Sequence, residues 1–157
     1  MKKTIAVLVE NHFGVLSHVS GLFSARGFNI DSLAVGETED ATVSRMTIVV
    51  DGDEKTLEQV KKQLNRLIDV IKVVDLTEED FIDRELVLVR VAINTKNRSE
   101  ILQVADTFQA KIVDVKKDSV GIEATGDQNK IKSFMEILKP FGITEIVRTG
   151  RIAMGRK

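Results

Sequence analysis

An α+β chain of two tandem βαββαβ units, the ferredoxin-like order, is predicted for these 157 residues by three observations. Short β-branched runs bounded by turn residues alternate with stretches whose apolar residues recur at helical spacing. In the first half those segments follow the order strand, helix, strand, strand, helix, strand, which is the split βαβ pattern. The second half repeats it. Gly52-Asp53 precedes one helix and Gly126-Asp127 another 74 residues later, and the same offset carries Leu57 to Ile131, Val60 to Phe134 and Leu64 to Leu138.

Local chemistry supports each element in turn. Thr4–Val9 is a β-branched run closed by Glu10. After Gly14, the residues Val15, Leu16, Val19, Leu22 and Phe23 line one face of a helix, and Gly27 stands where a left-handed residue would close it. Asn29–Gly36 and Val43–Asp51 read as two strands around the polar tip Glu37–Thr42, with Met46, Ile48 and Val50 alternating as a half-buried strand requires. Leu57, Val60, Leu64, Leu67 and Ile68 mark the second helix face, and Val70–Leu76 the fourth strand. In the second half, Leu86–Ile93 is a strand and Ile101, Leu102, Ala105 and Phe108 a helix face. Lys111–Lys117 with Ser119–Thr125 form a tighter hairpin, and Pro140 and Gly142 stop the last helix before Ile143–Arg148. The expected domains are 1–76 and 84–157, joined by the acidic linker 77–83.

Composition narrows the function classes. Hydrophobic residues at 43% and charged residues at 30% describe a folded chain with an adequate core. A formal net charge of −1 supplies no global basic field for nucleic acid or an acidic membrane. Cysteine is absent, which removes disulfide, thiolate and Cys-metal chemistry. The apolar run that follows Met1-Lys2-Lys3 stops at Glu10, too short for a signal peptide, and no run reaches the length of a membrane span, so a cytoplasmic location is expected. His12 and His18 lack partners at metal-ligand spacing, and no metal site is expected. The acidic groups at 37–40 and 78–80 fall in a hairpin tip and the linker, where solvated loops are the ordinary reading. Arg148, Arg151, Arg156 and Lys157 read as a basic tail serving solubility or partner contact. No catalytic residues are assigned.

One stretch stands out, Glu10-Asn11-His12-Phe13-Gly14-Val15-Leu16. A strand runs into a polar loop with an amide at Asn11 and a bare backbone at Gly14, and a helix then starts whose first N–H groups have no intrahelical acceptor. That end of a helix favours an anion such as a carboxylate. Asn and Gly are also ordinary turn residues. The second half has Asn94-Thr95-Lys96-Asn97-Arg98-Ser99 at this place, without glycine, so only the first domain is expected to bind in this way. Ser17 and Gly21 lie opposite the core face of the helix, either as plain solvent surface or as a face another chain approaches.

Three blocks together carry a family resemblance: Glu10–Leu16, Leu22-Phe23-Ser24-Ala25-Arg26-Gly27-Phe28-Asn29-Ile30-Asp31-Ser32-Leu33, and Ser44-Arg45-Met46-Thr47-Ile48. The chain resembles the small, regulatory subunits of acetolactate synthase (acetohydroxyacid synthase). The resemblance implies an N-terminal ACT domain, a C-terminal ferredoxin-like domain and no catalysis by this chain. It implies a large catalytic subunit as partner, which carries thiamine diphosphate, a divalent metal and FAD. It also implies activation of that subunit and feedback inhibition by valine in branched-chain amino-acid biosynthesis. The implied effector positions are Asn11, Gly14, Val15 and Leu16 of one chain with Asn29 and Ile30 of another, in a homodimer joined through ACT domains. Two alternatives remain at this point: a free-standing ACT-domain sensor acting on another enzyme or regulator, and an RNA-binding module of the same strand order, which would need aromatics that Thr4–Val9 and Val43–Asp51 lack. A small ferredoxin-like enzyme finds no convergent acid, base or nucleophile.

Overall fold

The computed structural model describes residues 2–157. They form two compact units, one that runs to Ile82 and takes up Arg151–Lys157, and one of Asp83–Gly150. The expected boundaries differ from these units in two respects: the expected linker 77–83 is divided between them at Ile82/Asp83, and residues 151–157 are gathered into the first unit and not the second.

In the first unit the strands β1 (Lys2–Glu10), β2 (Asn29–Glu37), β3 (Val43–Asp51) and β4 (Val70–Asp75) make an antiparallel sheet in the order β2-β3-β1-β4. Helices α1 (Val15–Ala25) and α2 (Glu54–Arg66) connect them, completing the predicted ferredoxin-like unit. Alternate residues Ile5, Val7 and Val9 of β1 and Met46, Ile48 and Val50 of β3 bury against Val15, Val19 and Phe23 of α1 and Leu57, Val60 and Leu64 of α2. The period of two in the strands meets the period of 3.6 in the helices, so each element hides one face.

The helix ends are chemically specified. At the close of α1, Gly27 has φ +79°, and the Phe28 and Gly27 N–H groups donate to the carbonyls of Phe23 and Ser24, a Schellman stop. At the start of α2, the Asp53 carboxylate accepts from the N–H groups of Lys55 and Thr56 at 2.7 and 3.3 Å. Those two bonds hold its carboxyl below the ordinary carboxylate range.

The second unit repeats the plan. Strands β5 (Phe81–Ala92), β6 (Lys111–Val115), β7 (Ser119–Gly126) and β8 (Ile143–Arg148) are ordered β6-β7-β5-β8, with helices α3 (Arg98–Thr107) and α4 (Gln128–Leu138). Asp127 caps α4 as Asp53 caps α2, accepting from the Lys130 N–H at 2.8 Å. The six residues that the 74-residue offset pairs are all buried, at 1% exposure or less. Arg148 closes the sheet by donating from both Nε and Nη2 to Glu85, at 2.9 and 2.6 Å.

Three expectations need correction. β5 starts at Phe81, so the expected linker already contains strand. The basic tail carries a ninth strand, β9 (Ile152–Gly155), which pairs with β5. Ala153 of β9 is buried with Ala6 and Leu76, Arg45 donates to its carbonyl at 2.8 Å, and Arg156 pairs with Asp80 at 3.0 Å. Finally, α2 ends at Arg66, and Ile68 is not on a buried helix face but almost fully exposed. No helix among the described residues is long and apolar enough to cross a membrane.

Candidate functional site

The loop between β1 and α1 is shaped by backbone bonds. Glu10 donates its N–H to the Asp69 carbonyl at 2.7 Å, and Asn11 donates its N–H to the Thr42 carbonyl at 2.8 Å. The Asn11 side-chain Nδ2 donates to the Ala41 carbonyl at 3.1 Å. Asn11 is therefore anchored to the β2–β3 hairpin tip, and its side-chain oxygen accepts no hydrogen bond among the described residues. Nothing in the sequence reveals this anchor, because Ala41 and Thr42 are loop residues thirty positions away.

Gly14 precedes α1 with φ +87° and ψ −9°, the left-handed region that disfavours a side chain. A Cβ built there would meet no atom within 4 Å. In the free chain this glycine is thus required by its backbone angle and not by crowding. It offers no side chain to cap the helix, and α1 has no acidic residue in its first turn. The His18 N–H returns to the Gly14 carbonyl at 3.1 Å and the Val15 N–H reaches the His12 carbonyl at 3.4 Å, while those of Leu16 and Ser17 have no acceptor among the described residues. The helix start therefore points unpaired donors and the positive end of its dipole at open solvent.

The side chains divide the predicted positions. Val15 is buried in the core at 3% exposure, so it presents only backbone to this loop. Leu16 is 45% exposed and is the apolar surface next to the open donors. His12 and His18 are exposed, His12 lying 3.9 Å from the Glu10 carboxylate. Ser17 and Gly21 are exposed in the single chain, a placement that both expected readings of this face share.

Asn29 and Ile30 lie elsewhere. Asn29 pairs in register with Asp51, which pairs with Lys2, whereas Glu10 pairs with Val43 and Glu37 with Ser44. Asn29 is thus at the opposite end of the sheet from the loop, about 27 Å away at the rise of an antiparallel strand. Its Nδ2 donates to Asp31 at 2.9 Å, and Asp31 pairs with Lys2 at 2.9 Å. Within one chain the six positions form two separate groups. In the second unit the Ser99 and Glu100 N–H groups at the start of α3 likewise have no acceptor among the described residues, but the loop before them has no left-handed glycine, Asn94 and Asn97 bond each other's backbone N–H groups at 2.8 and 2.9 Å, and Glu100 places a carboxylate in the first turn. Among the described residues no group of three or more His, Asp or Glu side chains could hold a metal ion.

Two family models match this chain. The model described as the AHAS small subunit-like ACT domain matches residues 5–72, and that described as the small subunit of acetolactate synthase matches residues 84–157. A probable acetolactate synthase small subunit of Archaeoglobus fulgidus is 54% identical over 156 residues, covering 99% of this chain and 98% of that protein. The acetolactate synthase small subunit of Aquifex aeolicus is 48% identical, covering 99% of this chain and 82% of that protein. The crystal structure of the acetolactate synthase small subunit from Thermotoga maritima superposes with a TM-score of 0.89 at 39% identity, covering 100% of this chain and 98% of that one.

Proposed function

The chain belongs to the acetolactate synthase small-subunit family, and from that premise we infer that it binds a catalytic large subunit, raises its activity and makes it subject to feedback inhibition by valine. In this reading thiamine diphosphate, the divalent metal and FAD belong to the catalytic subunit, and this chain contributes regulation alone.

The observation that carries the reading is the start of α1, where Gly14 is left-handed and the N–H groups of Leu16 and Ser17 are unpaired. A free amino acid matches this seat. Its carboxylate accepts from the open N–H groups in charge-assisted bonds worth about 1.5–3 kcal/mol each. Its ammonium is suited to the unused Asn11 side-chain oxygen, and its branched side chain to exposed Leu16. After the costs of binding, the affinity falls at about micromolar to millimolar, the range of a metabolite sensor.

Asn29 and Ile30 join the site from a second copy. β2 is an edge strand whose outer side is unpaired in the sheet order β2-β3-β1-β4. An antiparallel pairing of two β2 strands about Leu33 sets Asn29 of a second copy opposite Glu37, at the loop end of the first. The approximately 27 Å that separates the two groups along the strands within one chain is then removed. An effector held by both copies favours one dimer geometry, and coupling of about 1–3 kcal/mol gives several-fold inhibition.

The test is to mix this chain with the catalytic subunit and measure acetolactate formation with and without valine. Stimulation by the chain and its reversal by valine are expected. A chain that fails to stimulate refutes the regulatory-subunit reading and leaves the free-standing sensor; stimulation insensitive to valine, leucine and isoleucine refutes the effector site.

A further inference from the structure

We propose that Asp40 is a positioning residue that makes the loop between β1 and α1 select an α-amino acid over the α-oxo acid of the same carbon skeleton, by fixing which end of the Asn11 amide faces the ligand. This rests on the effector reading above and names the ligand class that its site accepts.

The tip of the β2–β3 hairpin is a β-turn over Asp40–Val43, closed by the Val43 N–H donating to the Asp40 carbonyl at 2.9 Å. One Asp40 carboxylate oxygen accepts from the Thr42 N–H at 3.0 Å and from the Thr42 hydroxyl at 2.7 Å. Thr38 braces the same turn. Its hydroxyl accepts from the Asp40 N–H at 3.2 Å and donates toward the Asp40 and Val43 carbonyls at 3.0 and 3.1 Å.

The Thr42 N–H and the Ala41 carbonyl belong to one peptide unit, and in a planar trans peptide they point in opposite directions. With the N–H turned to Asp40, the carbonyl is turned away from it and accepts from Asn11 Nδ2 at 3.1 Å. Rotating the Asn11 amide would set its oxygen against the Ala41 carbonyl, acceptor against acceptor. The oxygen is therefore the end left free. It suits a donor, which the ammonium of an amino acid supplies, whereas an α-oxo acid offers a second acceptor in that place and gains no bond.

The second unit separates this device from the needs of the fold. There the Ile93 N–H donates to the Asp118 carbonyl of the β6–β7 tip at 2.9 Å, the counterpart of the Asn11 N–H bond to the Thr42 carbonyl at 2.8 Å. The preceding residues match as well, Ala92 donating to the Gly142 carbonyl at 3.0 Å and Glu10 to that of Asp69 at 2.7 Å. In both units backbone bonds alone tie the strand end to the hairpin, and Ile93 packs against the core with no amide to orient. The side-chain bond of Asn11 and the Asp40 turn behind it are additions of the first unit, and holding the loop in place does not require them.

Calorimetry of the full chain gives the affinity for valine, and displacement of valine gives that for α-oxoisovalerate, in the unmodified chain, Asn11→Ala, Asp40→Ala and Asp40→Asn. The unmodified chain is expected to prefer valine by about tenfold or more. Asn11→Ala and Asp40→Ala should each lower that ratio about fivefold or more through weaker valine binding, with a thermal midpoint close to the unmodified one because both residues are exposed. Asp40→Asn keeps an oxygen for the Thr42 N–H and should hold the ratio within about twofold of the unmodified chain. An unchanged ratio in Asp40→Ala, including equal losses for both ligands as a merely structural role would give, overturns the proposal and leaves the effector site standing. Equal reductions of the ratio in Asp40→Ala and Asp40→Asn overturn it too, as does an unmodified chain that binds both ligands alike. An unmodified chain that binds no branched-chain amino acid overturns the effector reading beneath it.

Discussion

Gly52 and Gly126 occupy equivalent positions in the two units, each just before the Asp that caps the second helix, yet alanine should affect them very differently. A Cβ at Gly52 would lie 1.9 Å from Cε1, 2.2 Å from Cδ1 and 2.9 Å from Cζ of Phe28. That ring is 6% exposed and packs edge-on against Phe23 at a centroid distance of 6.1 Å. Restoring an ordinary 3.4 Å contact needs a shift of about 1.5 Å in a close-packed aromatic pair. Such overpacking costs about 1–3 kcal/mol, and in a unit of this size each kcal/mol lowers the midpoint by about 4–8 °C. At Gly126 the Cβ meets the stem of Lys130, with Cδ at 2.4 Å and Cβ and Cγ at 3.0 Å, which a partly exposed side chain can largely relieve by turning. Gly52→Ala is thus expected to lower the midpoint of the first unit by roughly 10 °C, and Gly126→Ala to lower that of the second by much less. Phe28 is followed directly by Asn29 and Ile30, so Gly52→Ala should also weaken valine binding. Urea and thermal unfolding with calorimetry provide the assay, and Phe28→Leu in the Gly52→Ala background should restore part of the loss as a coupled pair. Equal unfolding curves for the two alanine variants, or no rescue, would refute the packing argument.

Three further outcomes follow from the same geometry. Gly14→Asp should abolish valine inhibition while leaving stimulation, because a second carboxylate repels the ligand's own; Gly14→Asn, which tolerates the left-handed backbone without the charge, should retain most of the valine affinity, and equal loss in both would show that charge is not the cause. Removing Arg151–Lys157 takes β9 from over Ala6 and Leu76 and should destabilise the first unit by about 1–2 kcal/mol, read as faster hydrogen exchange in β1 and β4 than in β6 and β7. Asp75 supplies a pH dependence. Burial pushes its carboxyl up, but bonds from Thr77 and Lys61 outweigh that and hold it below 3.8. Burial lowers the Lys61 ammonium, and Glu58 and Asp75 together raise it above 10.5. A depressed carboxyl contributes stability that is whole above its unfolded value and lost as pH falls through the folded one, while the raised ammonium contributes below 10.5 and loses that contribution as pH climbs through its folded value. Asp75→Asn should therefore flatten the acid limb of the urea midpoint against pH, and an unaltered limb would remove Asp75 from the account.

The elements were legible because their signals are local. Periodicity placed β3 at Val43–Asp51 and β8 at Ile143–Arg148, as found, and Gly27 closes α1 where a left-handed residue was expected. The Gly-Asp repeat marks two helix starts because each Asp caps its own helix within three residues. The ninth strand was hidden: Ile152–Gly155 is four residues long among basic neighbours, and its strand pairing is with β5, far back in the chain. Apolar character likewise could not separate Leu67, which packs against the core, from Ile68, which faces solvent, since the helix ends two residues earlier than the pattern suggests.

For the candidate site the division is sharper. The chain by itself determined that a strand, a glycine loop and a helix start follow one another only in the first half, because that motif is contiguous and its absence from the second half can be read directly. Tertiary structure alone decided what each residue can offer. Val15 and Leu16 are adjacent and both apolar, but a helix turns about 100° per residue, so one enters the core and the other stays exposed. Asn11 spends its amide hydrogen on the hairpin tip, and Asn29 stands a full strand length from the loop, because hydrogen-bond partners and sheet register are set by chain segments that sequence distance does not connect.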